Sequence, residues 1–309
     1  MLRRTIAALV LCLFYCGNAV AEGFSLVEIA PGVFAHQGQT ALMTAENIGD
    51  IANIGAIVGD DAVAVVDTGG SLILGREFLV ALRQKTDKPI RFVINTHEHP
   101  DHVFGNGAFI STGAIFVGHE SLTRSLATRG PHYLSSFREA MSAALDGVTL
   151  VPPTKTVASG DRLRLDLGGR ELILQAWGAA HSDCDLTVLD SRSGVLFAGD
   201  LLFLKHVPII DASLLGFLKI ADELAAIPAR LVVPGHGPLT APWPQALDDE
   251  RTYLMRLAGD LRAAIKSGAQ IDDAVKTAGE SERGRWALFD DYHKRNATAG
   301  FAELEWETP

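Results

Sequence analysis

From Thr96 to His102 the chain reads Thr-His-Glu-His-Pro-Asp-His, so the six residues His97 to His102 carry three imidazoles and two carboxylates, directly after the apolar run Phe92-Val93-Ile94. Such a loop constrains the fold, because these side chains suit a borderline divalent ion only where a loop leaving a buried strand turns them inward together. Partners recur downstream where other apparent strands end. His181 follows Trp177-Gly178-Ala179-Ala180, Asp200 follows the strand Val195 to Ala198 through Gly199, and His236 sits in Pro234-Gly235-His236-Gly237. The neighbouring glycines permit the tight turns and close backbone approach that a crowded site needs. His97, His99, Asp101, His102, His181, Asp200 and His236 together supply five imidazoles and two carboxylates. One zinc takes three or four ligands, so seven predict two ions sharing a bridge.

The chain has 309 residues, 48% hydrophobic and 21% charged, enough for one large core or two small ones. Arg3 and Arg4, the apolar stretch Ile6 to Tyr15, and Ala19-Val20-Ala21 before Glu22 predict a removable secretory signal over residues 1–21, and hence a periplasmic or secreted protein. That stretch is shorter than the ~20 residues of a membrane span, which argues against a retained anchor. Cys12 and Cys16 leave with the signal, so only Cys184 remains and no internal disulfide is expected. Loss of the two arginines leaves 25 basic against 37 acidic residues, a net charge of −12. So acidic a surface repels nucleic-acid phosphates, which excludes nucleic acid as a partner.

Residues 22–309 read as a single α/β domain. Short strands at Ser25 to Ile29, Gly32 to Ala35, Asn53 to Val58 and Ala62 to Val66 lead to Asp67-Thr68-Gly69-Gly70, a helix from Leu72 to Lys85 capped by Ser71, and a strand from Pro89 to Asn95. A second mixed block follows: a strand at Ala114 to Val117, helices at Glu120 to Ala127 and, capped by Ser135, at Ser135 to Leu145, then strands at Arg162 to Leu167, Glu171 to Trp177, Leu186 to Leu189 and Val195 to Ala198. A helix near Leu214 to Ala226, a strand at Arg230 to Val233 and a helix from Trp243 to Lys266 complete it. With no Pro-, Gly- or Ser-rich linker between the blocks, helices covering two packed sheets are expected.

The spacing His97-x-His99-x-Asp101-His102, followed by His181, Asp200 and His236, resembles the metallo-β-lactamase-fold hydrolases, and the likeness extends to Val66-Asp67-Thr68-Gly69. That resemblance implies a four-layer αββα sandwich with the metals at one sheet edge. It further implies that His97, His99 and His181 hold a first zinc, that Asp101, His102 and His236 hold a second, and that Asp200 bridges them; iron and manganese suit the same donors. Such a pair makes hydroxide from water near neutral pH. Asp101 is assigned the catalytic task of orienting the attacking group or passing its proton. Asp67 and Thr96 read as supports hydrogen-bonded to ligands or loop backbone, with ordinary turn chemistry as the competing reading.

Lys205 and His206 read as substrate contacts or solvent-exposed residues, His36 and His119 as surface or capping residues, and Cys184 as a semi-buried thiol. Trp177 and Phe104 read as core or pocket wall, and Asp211-Ala212-Ser213 as a helix cap.

Departures narrow the branch. Di-iron oxygen reductases of this fold carry Glu where His99 stands, and mononuclear persulfide dioxygenases lack part of the second ligand set. Glyoxalase II shares the ligands but is generally intracellular, which the signal contradicts. Zinc β-lactamases resemble His181-Ser182-Asp183-Cys184-Asp185-Leu186, yet their commonest subclass has Cys at Asp200 and a Lys at Phe203. Glu46 to Gly55, Pro100 to Asn106 and Ser213-Leu214-Leu215-Gly216 resemble the periplasmic zinc hydrolases named after the quinoprotein relay system. The expectation is a dinuclear zinc hydrolase of a small-molecule ester, thioester or amide, associated with a quinoprotein. The alternatives are a zinc β-lactamase and a zinc-dependent binding or maturation factor with little turnover.

Overall fold

Alternating apolar residues and turns build two sheets in the computed structural model, which describes residues 24–307; the signal-peptide reading at 1–21 lies outside the described residues. The first sheet pairs β1 (Val27–Ala30), β2 (Val33–His36), β3 (Ile54–Val58), β4 (Val63–Val66), β5 (Ile90–Ile94), β6 (Ile115–His119) and β7 (Lys155–Val157) in chain order. It is antiparallel up to β4 and parallel from β4 to β7. The second contains β8 (Arg162–Asp166), β9 (Glu171–Ala176), β10 (Leu186–Asp190), β11 (Val195–Phe203), β12 (Leu231–His236) and β13 (Ala241–Pro242), ordered 13-12-11-10-9-8.

The sheets face each other across one apolar layer, in which Val33, Ile57, Val66 and Ile94 meet Leu174, Val188, Phe197 and Val233. Helix α1 (Leu72–Arg83) covers the outer face of the first sheet with Phe78 and Leu82. Helices α5 (Leu214–Leu224), α6 (Leu247–Lys266) and α8 (Phe289–Leu304) cover the second through Phe217, Leu254, Leu257 and Phe301. The result is the four-layer αββα sandwich. Ser71 caps α1 by accepting from the Leu74 N–H at 3.1 Å, and Ser213 caps α5 through the Gly216 N–H at 2.8 Å.

Three details differ from the sequence expectations. The two helices expected at Glu120 to Ala127 and Ser135 to Leu145 are instead α3 (Leu122–Ser136), the one-turn α4 (Arg138–Met141) and a 3₁₀ turn at Ser142–Leu145. Ser135 therefore lies inside a helix rather than capping one. Pro131 removes one hydrogen bond from α3, but packing outweighs that loss: Leu122 and Leu126 are buried, and Gly130 lies so close to Leu150 that a Cβ there would come within 2.4 Å of it. Strand β11 runs on to Phe203, so Asp200 sits within a strand, beyond an irregularity in the pairing at Gly199, rather than after one. Helix α8, one-turn helix α7 (Ile271–Ala274) and strands β7 and β13 are additional to the expected elements.

One buried ion pair ties the sheets together. Arg170 donates to both Asp190 carboxylate oxygens, at 3.0 and 2.6 Å, and to the Pro31 and Val58 carbonyls of the first sheet, at 3.0 and 2.8 Å. Arg170→Met leaves Asp190 buried without its partner and is expected to destabilise the fold by about 3–5 kcal/mol, read by urea denaturation. An unchanged denaturation midpoint would contradict this.

Candidate metal centre

Strand direction brings the candidate ligands to one edge. Strand β9 is antiparallel to β10, β10 to β11, and β11 is parallel to β12, so β9, β11 and β12 all run the same way. Their C-terminal ends deliver His181, Asp200 and His236 together. In the first sheet β4 and β5 are parallel, so Asp67 and the His97–His102 loop also leave one edge. Backbone bonds join the two edges: Leu186 N–H donates to Thr96 O at 2.8 Å, and Asn53 N–H to Gly235 O at 2.8 Å. All seven candidate side chains are buried.

They form two adjoining groups, His97, His99, His181 and Asp200, and Asp101, His102 and His236. In the first, His99 Nδ1 lies 3.1 Å from His97 Nε2 and 2.8 Å from His181 Nε2, while Asp200 Oδ2 lies 3.3 Å from His181 Nε2 and 3.7 Å from His97 Nε2. In the second, His236 Nε2 is 3.2 Å from Asp101 Oδ2 and 3.4 Å from Asp200 Oδ2; His102 Nε2 is 3.1 Å from Asp200 Oδ1 and 3.8 Å from Asp101 Oδ2. Zinc–nitrogen bonds of 2.0–2.1 Å place neighbouring tetrahedral ligands ~3.3 Å apart, which these spacings bracket.

The opposite nitrogens are all committed. His181 Nδ1 donates to Ile209 O at 2.9 Å, His236 Nδ1 to Ile51 O at 2.9 Å, and His102 Nδ1 to Asp67 Oδ2 at 2.8 Å. His97 Nδ1 donates to Thr96 Oγ1 at 3.0 Å, which donates onward to Asp67 Oδ2 at 2.7 Å; His99 Nε2 lies 2.9 Å from Asp211 Oδ2. The inward nitrogens of His97, His99 and His181 therefore present three lone pairs to one point. Such an arrangement repels itself unless a cation sits among them, and oriented outer nitrogens are the usual support of metal-binding imidazoles.

Burial, reinforced by His102, keeps His97 well below its ordinary value, and burial holds His181 at about 4, so both are neutral near pH 7. In the second group burial opposes charge on His236 and His102, but Asp200 and Asp101 outweigh it, lifting His236 to about 9 and His102 well above its usual range. Protons there do the work a divalent cation would do. Even so, His102 Nε2 and Asp200 Oδ1 are buried with no aligned hydrogen-bond partner. The donor set therefore fits a dinuclear metal site. Asp67 accepts from Thr96 N–H, Thr96 Oγ1 and His102 Nδ1, at 2.7 to 2.8 Å, beneath the cluster.

A cavity of about 290 Å³ opens over the cluster, lined by Asp101, His99 and His236 on its floor and by Met43, Phe137 and Tyr292 among its walls. His206 also lines it, buried, with Nδ1 donating to Val207 O at 2.6 Å and Nε2 left as an acceptor. Lys205 is not among the lining residues: its side chain is exposed, in a left-handed backbone turn at φ 66°, in line with the solvent-exposed alternative. The other singled-out residues have structural partners. His36 is buried against Asp50 Oδ1 at 2.8 Å, and His119 accepts from the Ser121 N–H at 3.0 Å just before α3 without capping it; neither is at the surface. Trp177 and Phe104 are core residues. Cys184 is fully rather than partly buried; burial and Glu98 push its thiol up, and it donates to Glu98 Oε2 at 2.9 Å. Glu98 thus turns away from the cluster toward Cys184 and Arg129.

Sequence reasoning missed Asp211, Tyr133, Tyr292 and Arg295, all of which line the cavity. Asp211 was expected to cap a helix; Ser213 fills that role while Asp211 reaches His99.

Gly235 marks how tightly the edge is packed. A Cβ there would lie 1.9 Å from Asp200 Oδ1 and 2.8 Å from the Gly199 carbonyl. Gly235→Ala is expected to displace Asp200 and lower the metal retained by the folded protein, read by elemental analysis; full retention would contradict it.

A cluster of this composition at the edge of an αββα sandwich defines a class of metal-binding proteins. Residues 47–236 match the family model described as Metallo-beta-lactamase superfamily, and the chain belongs to that superfamily. A 2,4-dinitroanisole O-demethylase subunit alpha from Nocardioides sp. is 27% identical over 184 residues, covering 59% of this chain and 51% of that protein. The chain spans about half the length, or less, of the curated relatives it matches. Among solved structures, a metallo-beta-lactamase from Hirschia baltica has TM-score 0.59 and 22% identity, covering 75% of this chain and 98% of that one. The inverting sec-alkylsulfatase Pisa1 from Pseudomonas sp. has TM-score 0.69 and 16% identity, covering 92% of this chain and 51% of that one. These structural likenesses are likenesses of fold.

Proposed function

We propose that the chain is a dinuclear zinc hydrolase of the periplasm that cleaves an ester, thioester or amide of a small molecule, working beside a quinoprotein dehydrogenase system. The observation that carries the reading is the convergence of inward lone pairs from His97, His99 and His181 beside Asp200, on the floor of an accessible cavity. Zinc is favoured by an imidazole-rich donor set at tetrahedral spacing, although iron or manganese takes similar ligands. The signal-like residues 1–21 support export, and the segments around Glu46 to Gly55 and Ser213 to Gly216 support the quinoprotein association.

His97, His99 and His181 would hold one ion, Asp101, His102 and His236 the other, and Asp200 both. Two such ions supply Lewis acidity that lowers the pKa of water to ~7 and stabilises developing negative charge. Asp101 is buried, yet His102 and His236 outweigh burial and hold its carboxyl down at about 2. It stays ionised, faces the cavity, and orients the attacking water while passing on its proton. His206 Nε2 accepts a donor group of the substrate. Met43, Leu42 and Phe137 shed water from the substrate's apolar body.

The test is turnover by metal-loaded and chelated protein on carboxylic esters, thioesters and lactams. Alkyl sulfates and 2,4-dinitroanisole join the panel because of the relatives' names. The expected result is ester or thioester hydrolysis that is lost on chelation and restored by zinc. Inactivity across the panel, with control enzymes turning over, would contradict the reading.

A further inference from the structure

Helix α8 lies beyond residues 47–236, the span shared with the superfamily, yet it reaches the metal-facing histidines through one short strap of chain. Asn296, fully buried, accepts from the Ile210 N–H at 3.0 Å and donates to Pro208 O at 2.6 Å, gripping the strap on both sides. Glu303 accepts from Ser213 Oγ at 2.6 Å and from the Leu214 N–H at 2.7 Å, fixing its far end. Between them Arg295 donates to Asp211 Oδ1.

The strap in turn orients two imidazoles. Ile209 O takes the proton of His181 Nδ1, Asp211 N–H donates to His181 O at 2.9 Å, and Asp211 Oδ2 lies 2.9 Å from His99 Nε2 as an ion-pair contact. The Ile209 carbonyl selects the His181 tautomer whose free nitrogen faces the cluster, and a carboxylate beside His99 Nε2 favours the matching tautomer of His99. His97 and His102 take their support from Asp67 and Thr96 in the first sheet, so the strap is a separate source of alignment.

We infer that Asp211 and Arg295 are positioning residues through which α8 sets the direction of His99, and so the affinity and geometry of the first metal site. The carboxylate does two jobs: it fixes the His99 tautomer and makes the imidazole more basic, while Arg295 anchors the carboxylate through its other oxygen. Outer partners of metal-bound imidazoles typically alter affinity by about 10- to 100-fold when removed. The inference rests on the metal-site reading above.

The experiment titrates cobalt(II) into wild-type protein, Asp211→Ala, Arg295→Ala and Arg295→Lys, following the visible spectrum, thermal midpoint and, after zinc loading, kcat and KM. Asp211→Ala is expected to weaken the first cobalt by about 10- to 100-fold and to change its spectrum. Arg295→Ala shifts both in the same direction by a smaller factor, and Arg295→Lys, which keeps a donor for Asp211, recovers most of the loss. At saturating zinc the change falls on kcat rather than KM. Arg295 is more than half exposed, so its variants remain decisive should Asp211→Ala fail to fold. Wild-type affinity and spectrum in Arg295→Ala and in folded Asp211→Ala would overturn the inference. A wild-type protein that binds no cobalt or zinc would overturn the metal-site reading itself, a result distinct from unchanged binding in the variants.

Discussion

Replacing Asp200 by alanine is expected to reduce bound zinc from two ions to one or fewer and to lower kcat/KM by at least ~1,000-fold, which corresponds to roughly 4 kcal/mol of barrier. The size of the effect follows from position. Asp200 is the carboxylate common to both groups, with oxygens 3.1 to 3.7 Å from the inward nitrogens of His97, His102, His181 and His236. Without it the second group would keep only three donors, Asp101, His102 and His236, and the first only three imidazoles, and neither would retain the carboxylate placed to hold both ions together. Surrounding charge keeps Asp200 ionised: burial alone would protonate it, but His236 and His102 pull it well below the usual carboxylate range. Elemental analysis and steady-state kinetics on the same preparation check the prediction. A variant with two zinc ions and wild-type turnover would show that this carboxylate bridges nothing.

Asp101→Asn is expected to lower kcat by about 100- to 10,000-fold at saturating zinc, with KM little changed. The substitution keeps size and one oxygen donor, so it separates charge from shape. Asp101 lies on the cavity floor, 3.2 Å from His236 Nε2, where a carboxylate can face both an ion and an incoming water. If its task is to orient that water and relay its proton, the neutral amide fails at the chemical step while leaving the substrate-binding walls intact. A rise in KM at constant kcat would assign Asp101 to substrate binding instead.

The convergence at the sheet edge is legible in the sequence because the His97–His102 loop follows the apolar run Phe92-Val93-Ile94, His181, Asp200 and His236 follow apolar runs beside small residues, and strand ends are where αββα architecture gathers side chains. The supports are less legible. Asp67 and Thr96 stand next to strand ends and are visible by that rule, whereas Asp211 sits in Asp211-Ala212-Ser213, whose obvious reading is a helix cap. Arg295 and Tyr292 lie on a helix whose apolar period is blunted: its buried positions include His293, Asn296 and Gly300, so a hydrophobic stripe does not announce it. Pro131 misleads in the opposite sense, since a breaker signal in α3 is overridden by packing against Leu150. Lys205 and His206 are adjacent in sequence, but the left-handed turn at Lys205 sends one side chain to solvent and the other to the cavity.

The central claim is that seven side chains grip a pair of cations, and diffraction from crystals of zinc-loaded protein, recorded on either side of the zinc absorption edge, tests it most directly. The account predicts two anomalous peaks roughly 3.5 to 4 Å apart, one among His97, His99 and His181 and the other among Asp101, His102 and His236, with Asp200 between them. A fully loaded crystal with no peak there, or with zinc bound only elsewhere on the surface, would contradict it.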